Sequence, residues 1–211
     1  TVRVTEIFFS IQGEGTRAGR PCVFVRFTGC NLRCNYCDTA YAFHGGREMD
    51  RAAILAEVAR HPSRFVLLTG GEPLLQRELP VLARELLDRG YEVAVETHGQ
   101  LPMDGLPEAV IRIADVKTPE SGEPATDLAW LERLRPHDEV KFVVSSEADF
   151  RWSLDVVRRH RLEGRVAVLM GPVLGRVEPR DLARWILESG LEARLNLQIH
   201  KIVWGADARG V

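Results

Sequence analysis

Short apolar segments recur along this chain of 211 residues, and charged, glycine-containing or helix-like stretches separate them. The segments are rich in β-branched residues, and their nearly continuous hydrophobicity is typical of parallel strands that are buried on both faces. In chain order they read PCVFVRF, RFVLLTG, YEVAVET, AVIRIADV, DEVKFVVS, RVAVLM and ARLNLQIH. The sequence therefore predicts an α/β fold built from repeated strand-helix units.

Three segments between these strands place apolar residues on one helical face, at 50–60, 78–89 and 179–189. The segment LPMDGLPE at 101–108 contains prolines and a glycine, so we predict a loop at that crossover. Six or seven strands are too few for a complete barrel of about eight strands. An open doubly wound sheet and a partial βα barrel both remain, and periodicity alone does not choose between them.

Composition limits the classes of function. Hydrophobic residues make up 45% of the chain, which is enough for one sizeable core, and we expect a single domain over residues 1–211. Lys and Arg total 28 against 30 Asp and Glu, so a small-molecule substrate is expected rather than nucleic acid. No signal pattern opens the sequence, and no apolar run approaches the roughly 18 residues of a membrane span. We therefore expect a cytoplasmic protein without a membrane partner.

Three of the four cysteines lie in the segment TGCNLRCNYCDT, with Cys-x3-Cys-x2-Cys spacing at Cys30, Cys34 and Cys37. This segment follows a predicted strand, and βα proteins build their sites at that end of the sheet. Thiolates suit zinc or iron-sulfur clusters, and three of them leave one iron of a 4Fe-4S cluster open to a small ligand. The alternative is a structural zinc site completed by His44. Cys22 lies within the strand and is predicted to be an inert buried thiol.

The motif CNLRCNYCDT resembles the cluster motif of radical S-adenosylmethionine enzymes, in which an aromatic residue, here Tyr36, precedes the last cysteine. The resemblance implies a partial (βα) barrel of about six parallel strands. It also implies a 4Fe-4S cluster on the three cysteines and S-adenosylmethionine as a second cofactor. The segment TGGEP at 69–73 resembles the family's glycine-rich strand end, whose backbone meets the cofactor, although a plain strand-to-helix turn is the alternative.

The stretch from EIFFSIQGEG to the cysteines, together with TGGEPLLQ, VETHG and LQIHK, resembles the family of 7-carboxy-7-deazaguanine synthases. That resemblance implies conversion of 6-carboxy-5,6,7,8-tetrahydropterin to 7-carboxy-7-deazaguanine, a radical ring contraction with loss of ammonia in 7-deazapurine (queuosine) biosynthesis. It further implies a requirement for Mg2+, an external reductant such as flavodoxin or ferredoxin, and a homodimer.

The same resemblance assigns individual residues to ligands. S-adenosylmethionine would contact Tyr36, Asp38, Gly71, Glu72, Glu96, His98 and Lys117. The pterin would contact Ile11, Gln12, Gly13, Glu14, Arg26, Thr69 and His200, and Thr39 would bind Mg2+. Arg26 lies between apolar neighbours, which independently indicates a buried guanidinium that needs an anion. The segment LQIHK places Gln198 and His200 on the same side of the predicted last strand.

Several of these assignments have structural alternatives. Gln12 and Glu14 would otherwise be turn residues, and Thr39 would cap a helix or turn. Lys117 would be an exposed residue at a strand end. His200 would be a core histidine whose hydrogen bonds are satisfied.

Two other functions fit the cysteine motif. An activase for glycyl-radical enzymes would share the motif and the compact size, but it has no reason to combine QGEG with QIHK. A non-catalytic iron-sulfur or zinc module that binds RNA or protein is disfavoured by the net charge of −2 and by the TGGEP strand end.

Overall fold

The computed structural model describes residues 1–125 and 127–211. Its strands are β1 Val2–Ile11, β2 Pro21–Phe27, β3 Arg47–Met49, β4 Phe65–Gly70, β5 Glu92–Thr97, β6 Ile111–Val116, β7 Glu139–Val144, β8 Ala167–Pro172 and β9 Arg194–Leu195. Its α-helices are α1 Arg51–Val58, α2 Leu79–Asp88, α3 Glu147–Arg159, α4 Pro179–Ser189 and α5 Ile199–Trp204. The strands form one sheet in the order β3-β1-β2-β4-β5-β6-β7-β8-β9.

The strand order distinguishes the two architectures that periodicity left open. From β2 to β9 every neighbouring pair is parallel, and the order follows the chain without reversal. A doubly wound sheet reverses its strand order at a switch point, whereas a barrel winds steadily in one direction. The described strands leave β3 and β9 at opposite edges, so the barrel is open. The predicted partial βα barrel is confirmed.

The first strand was not among the predicted ones. β1 pairs antiparallel with β2, with Phe8 opposite Phe24 and Ser10 opposite Cys22. Its opening residues alternate between buried and exposed, because Val2 and Val4 face the core while Arg3 faces outward. Such alternation is typical of an antiparallel strand at a sheet margin rather than of a strand buried on both faces. The strand leads into the QGEG segment, residues 12–15, at the open end of the barrel.

The outer face of the sheet packs against the helices, and the inner face lines the cavity. Side chains on the outer face pack beneath the helices in the main core, as Val25, Leu68 and Val95 show. The inner face carries a second, smaller apolar cluster at its base, which includes Phe24, Leu67, Ala94 and Ile113. Further along the same strands the inner positions become polar, at Arg26, Thr69, Glu96, Asp115 and Lys141. Alternation of side chains along each strand thus separates core from site.

The three predicted helices form at the predicted places as α1, α2 and α4, and 101–108 forms no regular helix. Asp50 caps α1, because its side chain accepts a hydrogen bond of 2.7 Å from the Ala53 amide. Gly190 ends α4 in the left-handed conformation, with φ of 67°. A further helix, α3, was not predicted, and Ser146 caps it. No helix among the described residues is long and apolar enough to span a bilayer.

The predicted last strand is wrong beyond its first residues. β9 contains only Arg194 and Leu195, and the amide of Asn196 still bonds to Met170 of β8 at 2.7 Å. The chain then leaves the sheet and begins α5, so Gln198 precedes a helix and His200 lies inside it. Residues 196–199 form hydrogen bonds with the QGEG segment instead of continuing the sheet. Asn196 bonds to Gly15, Gln198 to Glu14 and the Ile199 amide to Gly13.

Candidate active site

A cavity of about 650 Å3 opens at the carboxyl ends of the parallel strands. It is lined by the cysteine loop, the QGEG segment, the inner polar residues of the sheet, the start of α5 and residues 206–211 of the C-terminal tail. Every predicted site residue except Glu72 lies in this lining. The tail contains no recognisable motif, and none of its residues was predicted to belong to the site.

The cysteine loop connects β2 to β3. Cys30, Cys34 and Cys37 are free and partly exposed in the cavity wall. Burial raises the pKa of the Cys30 and Cys34 thiols, so binding as thiolates requires a cationic centre to displace their protons. Among the described residues, no three His, Cys, Asp or Glu side chains surround a single metal ion. In a 4Fe-4S cluster each thiolate binds its own iron, and three soft sulfur donors in one loop fit that group. His44 is exposed and lies outside the cavity lining.

Gly71 holds the end of β4 against the cysteine loop. A Cβ atom at this position would lie 2.0 Å from the carbonyl oxygen of Gly29 and 3.0 Å from the Cβ of Cys30. The glycine is therefore required by packing onto the loop, a reason that the sequence analysis did not identify. The amide of Glu72 reinforces this contact with a hydrogen bond of 2.7 Å to the Gly29 carbonyl.

Glu72 supports the site from behind. Its carboxylate is fully buried and accepts hydrogen bonds from the Leu74 amide at 2.9 Å, the Thr97 hydroxyl at 2.7 Å and the His98 amide at 3.0 Å. Burial raises the pKa of this carboxyl group. The side chain therefore ties the end of β4 to the end of β5. The predicted contact between Glu72 and S-adenosylmethionine stays a prediction.

His98 has a defined tautomer. Its Nδ1 accepts a hydrogen bond of 3.0 Å from the Gln100 amide, so the proton belongs on Nε2. Nε2 lies 3.0 Å from Oδ1 of Asn31 in the cysteine loop and 3.2 Å from Oε2 of Glu72. Burial and the nearby Lys117 charge lower the pKa of His98 to about 4. The imidazole is therefore neutral near pH 7, and its Nε2 proton lies between the cysteine loop and the Glu72 carboxylate.

Lys117 and Lys141 form a network of ion pairs with carboxylates in the cavity wall. Nζ of Lys117 lies 3.0 Å from Oδ2 of Asp115, and Nζ of Lys141 lies 3.3 Å from the same oxygen. Lys141 also contacts Glu96, and its Nζ lies 2.9 Å from Oε2 of Glu14. Although burial alone would lower the pKa of both lysines, the surrounding carboxylates raise it above the ordinary value. Lys141 and Asp115 were not among the residues predicted for the site.

Glu14 presents a carboxylate to the cavity. Besides Lys141, it accepts hydrogen bonds from Gln198 at 2.7 Å and from Asn196 at 3.2 Å. Burial alone would raise the pKa of Glu14, but the Lys141 charge and these hydrogen bonds hold it below the ordinary value. Glu14 is therefore an anion at neutral pH, and the turn-residue alternative does not account for its burial among donors.

Arg26 has the anionic partner that its position in the strand predicted. Its Nε lies 2.8 Å from Oε1 of Glu6, which also accepts a hydrogen bond of 2.8 Å from the Tyr41 hydroxyl. The Arg209 guanidinium of the tail lies over the Tyr41 ring, 4.3 Å from its centre. The Arg26 side chain thus extends from β2 toward Tyr41, the residue that the tail contacts. Thr69 is its direct neighbour on β4.

The start of α5 brings further groups to the cavity. The Ile199 amide donates to the Gly13 carbonyl at 3.0 Å, and a Cβ on Gly13 would lie 1.8 Å from Nδ1 of His200. Lys201 bonds to Asp38 of the cysteine loop at 2.6 Å. Burial lowers the pKa of His200. The helix therefore joins the QGEG segment to the cysteine loop. Thr39 lines the cavity beside them, with its hydroxyl 3.7 Å from the Cys37 sulfur.

Comparison with known proteins defines the class. Residues 24–188 match the model of the radical SAM superfamily, so the chain shares the superfamily's domain over most of its length. QueE from Escherichia coli has the same fold, with a TM-score of 0.77 and 22% identity over 93% of each chain. The cysteine loop and the partial barrel agree with this class, whose cofactors are a 4Fe-4S cluster and S-adenosylmethionine.

Full-length relatives narrow the class. The 7-carboxy-7-deazaguanine synthase of Koribacter versatilis is 44% identical over the whole of both chains. That of Chlorobaculum tepidum is 42% identical over 100% of this chain and 97% of its own. The chain belongs to the 7-carboxy-7-deazaguanine synthase family of the radical SAM superfamily.

Proposed function

We propose that the chain converts 6-carboxy-5,6,7,8-tetrahydropterin to 7-carboxy-7-deazaguanine with release of ammonia, as a radical S-adenosylmethionine lyase. The observation that carries the proposal is a single cavity with the cysteine loop in one wall and Glu14, Arg26 and His200 in the others. Its volume of about 650 Å3 lies within the usual range of small-ligand sites, roughly 300–1,000 Å3.

The cysteine side of the cavity takes the cofactors in this proposal. Cys30, Cys34 and Cys37 hold the cluster, which when bound supplies the electron that cleaves S-adenosylmethionine to a deoxyadenosyl radical. The proposed contacts with S-adenosylmethionine are made by Tyr36, Asp38, Gly71, Glu72, Glu96, His98 and Lys117. The Lys117 ammonium and the backbone beside Gly71 suit the carboxylate and the amino group of the cofactor, respectively.

The opposite side takes the pterin. The Glu14 carboxylate is charged and suits the amino and ring N–H donors of the pterin edge. The Arg26 guanidinium suits the substrate carboxylate, and His200 closes the site from α5. Ile11, Gln12, Gly13 and Thr69 complete the contacts. Holding the reacting C–H bond near the cofactor matters because a misplacement of about 1 Å can cost on the order of 100-fold in rate.

A Mg2+ ion at Thr39 belongs to the same proposal. Mg2+ prefers oxygen ligands in near-octahedral geometry and keeps several waters, so one hydroxyl needs substrate oxygens beside it. The position of Thr39 in the cavity wall supports a shared site. A homodimer, a cytoplasmic location and a flavodoxin or ferredoxin as electron donor are also proposed, on the family resemblance.

The full-length relatives favour the synthase over a glycyl-radical activase. Those relatives match this chain over its full length, and they are named for the synthase rather than for an activase. The activase alternative is therefore not favoured.

The experiment compares two cysteine substitutions in anaerobically reconstituted protein. Cys34→Ala should abolish S-adenosylmethionine cleavage and ammonia release from the pterin, because it removes a cluster ligand. Cys22→Ala is the matched control and should retain both, because this thiol is buried in β2, where burial raises its pKa to about 12. Ammonia release by Cys34→Ala, or none by the wild type, would contradict the proposal.

A further inference from the structure

Lys141 reaches three carboxylates on three different elements of the cavity. Glu14 follows β1, Glu96 lies on β5 and Asp115 lies on β6. The Lys141 side chain is only 6% exposed, with Nζ at 2.9 Å from Glu14, at 3.3 Å from Asp115 and in contact with Glu96. The ammonium group donates hydrogen bonds to Glu14 and Glu96, and it forms an ion pair with Asp115. The partners nearest to the Lys141 ammonium group are therefore carboxylates of the protein itself.

We infer that Lys141 is a positioning residue that couples the pterin side of the cavity to the S-adenosylmethionine side through Glu14 and Glu96. The inference rests on the proposed function, which places the pterin at Glu14 and the cofactor at Glu96. One ammonium group bonded to both carboxylates fixes the separation of the two ligands. Radical transfer depends on that separation, because the reacting atoms must lie in contact.

Electrostatics explains why a cation is needed here. Glu14, Glu96 and Asp115 would repel one another if they were charged and unpaired, and burial would favour their neutral forms. Lys117 offsets only part of this charge, since its ion pair is with Asp115. The neutral donors Asn196 and Gln198 hold Glu14 but carry no charge.

Other titratable groups near Glu14 are Asp38 and His200, and Lys201 in turn lies near both of them. Lys201 forms its own ion pair with Asp38, and His200 is held neutral by its lowered pKa. Lys141 is therefore the cation in direct contact with both Glu14 and Glu96 among the described residues.

A double-mutant cycle tests the coupling. Lys141→Met should raise the KM for carboxytetrahydropterin by about tenfold or more, and Glu14→Gln should do the same. The double variant should lie within about threefold of the worse single variant, because Glu14 is already misplaced once Lys141 is lost. Lys141→Arg should recover part of the wild-type KM, since it restores the cation.

The matched control is Arg165→Met, which removes a cation that bonds to the carbonyls of Leu131 and Leu134 outside the cavity. It should lower stability, leave KM unchanged and combine additively with Glu14→Gln. Each protein is first checked for iron content and for S-adenosylmethionine cleavage without the pterin. If Lys141→Met does not fold, Lys141→Gln replaces it in the cycle.

Wild-type protein that made no deazaguanine would refute the proposed function itself. Product from the wild type, combined with an unchanged KM in Lys141→Met or with additive effects in the cycle, would overturn the inference. Loss of folded protein in both the Met and Gln variants would assign Lys141 a purely structural role and would overturn it as well.

Discussion

Gly13 is a contact residue for His200. A Cβ on Gly13 would collide with the imidazole at 1.8 Å, so Gly13→Ala should displace His200 and raise the KM for the pterin by about tenfold. Cluster content should not change, and S-adenosylmethionine cleavage should change far less than the KM, because neither Gly13 nor His200 is a proposed cluster ligand. Gly105→Ala is the matched control, since its Cβ would meet only Pro80 at 3.7 Å. Equal KM values for the two variants, measured by steady-state kinetics, would disprove the contact.

His98 should make stability depend on pH. Its pKa is about 4 in the folded chain, against an ordinary value of 6.5. Between these values the unfolded chain binds the proton and the folded chain does not, so stability is full above about pH 6.5 and falls as the pH drops toward 4. The loss should reach about 3 kcal/mol.

Urea unfolding of cluster-free wild type and His98→Gln across this range measures the effect. The glutamine variant should show a flatter dependence, because its amide does not titrate. Parallel curves for the two proteins would show that His98 titrates normally in the folded chain.

Thr39 should control the response to Mg2+. Turnover of the pterin by the wild type should rise with added Mg2+ and fall on chelation, and Thr39→Ala should weaken this stimulation because one oxygen ligand is lost. Iron content, measured in parallel, serves as the control for cluster loss. A Thr39→Ala variant with normal iron and an unchanged Mg2+ titration would rule out the assignment.

Single residues were predictable from sequence where local pattern and motif coincided. Arg26 stands between apolar strand residues, and the structure gives it the expected anion at 2.8 Å. Lys141 stands in the same pattern, between Val140 and Phe142, and that signal would have revealed it. Glu6 and Asn196 carry no such signal, because their roles depend on partners distant in the sequence.

The helix α5 is an element of the site more than of the core. None of its residues is buried, yet it brings His200 and Lys201 to the cavity. A chain that ends at Gln198 should therefore fold and hold its cluster, and its S-adenosylmethionine cleavage should fall far less than its pterin turnover. Its KM for the pterin should rise by at least about tenfold, because the substrate side is left open.

Steady-state assays of S-adenosylmethionine cleavage and of pterin turnover measure the two effects separately. Ile202→Ala is the control, since its side chain is 72% exposed on the same helix and should have no effect. If the shortened chain lost S-adenosylmethionine cleavage and pterin turnover to the same extent, the proposal that the two ligands occupy opposite sides of the cavity would be contradicted.

Elements were predictable where one local signal dominated. The helices α1, α2 and α4 carry an apolar face and recognisable ends, and they form as expected. The last strand fails because Asn196 bonds to the Gly15 amide at 2.7 Å, which draws the chain toward the QGEG segment. Hydrophobic alternation in LNLQIH contains no information about that distant partner.

For the whole molecule, the repeated apolar segments were enough to predict the α/β fold class. They were not enough to predict the order of the strands in the sheet. Periodicity counts strands and does not order them, so only the cysteine motif and the observed strand order distinguish a partial barrel from a doubly wound sheet. The inner face of that barrel then brings together residues from most of its length.

The most direct test of the synthase assignment is the mass spectrum of the product. Reconstituted protein, S-adenosylmethionine, Mg2+ and a reductant are incubated anaerobically with 6-carboxy-5,6,7,8-tetrahydropterin, and Cys34→Ala serves as the blank. The wild type should form a compound with the mass and fragmentation of 7-carboxy-7-deazaguanine, and the blank should form none. S-adenosylmethionine cleavage by the wild type with unchanged pterin and no deazaguanine would contradict the account.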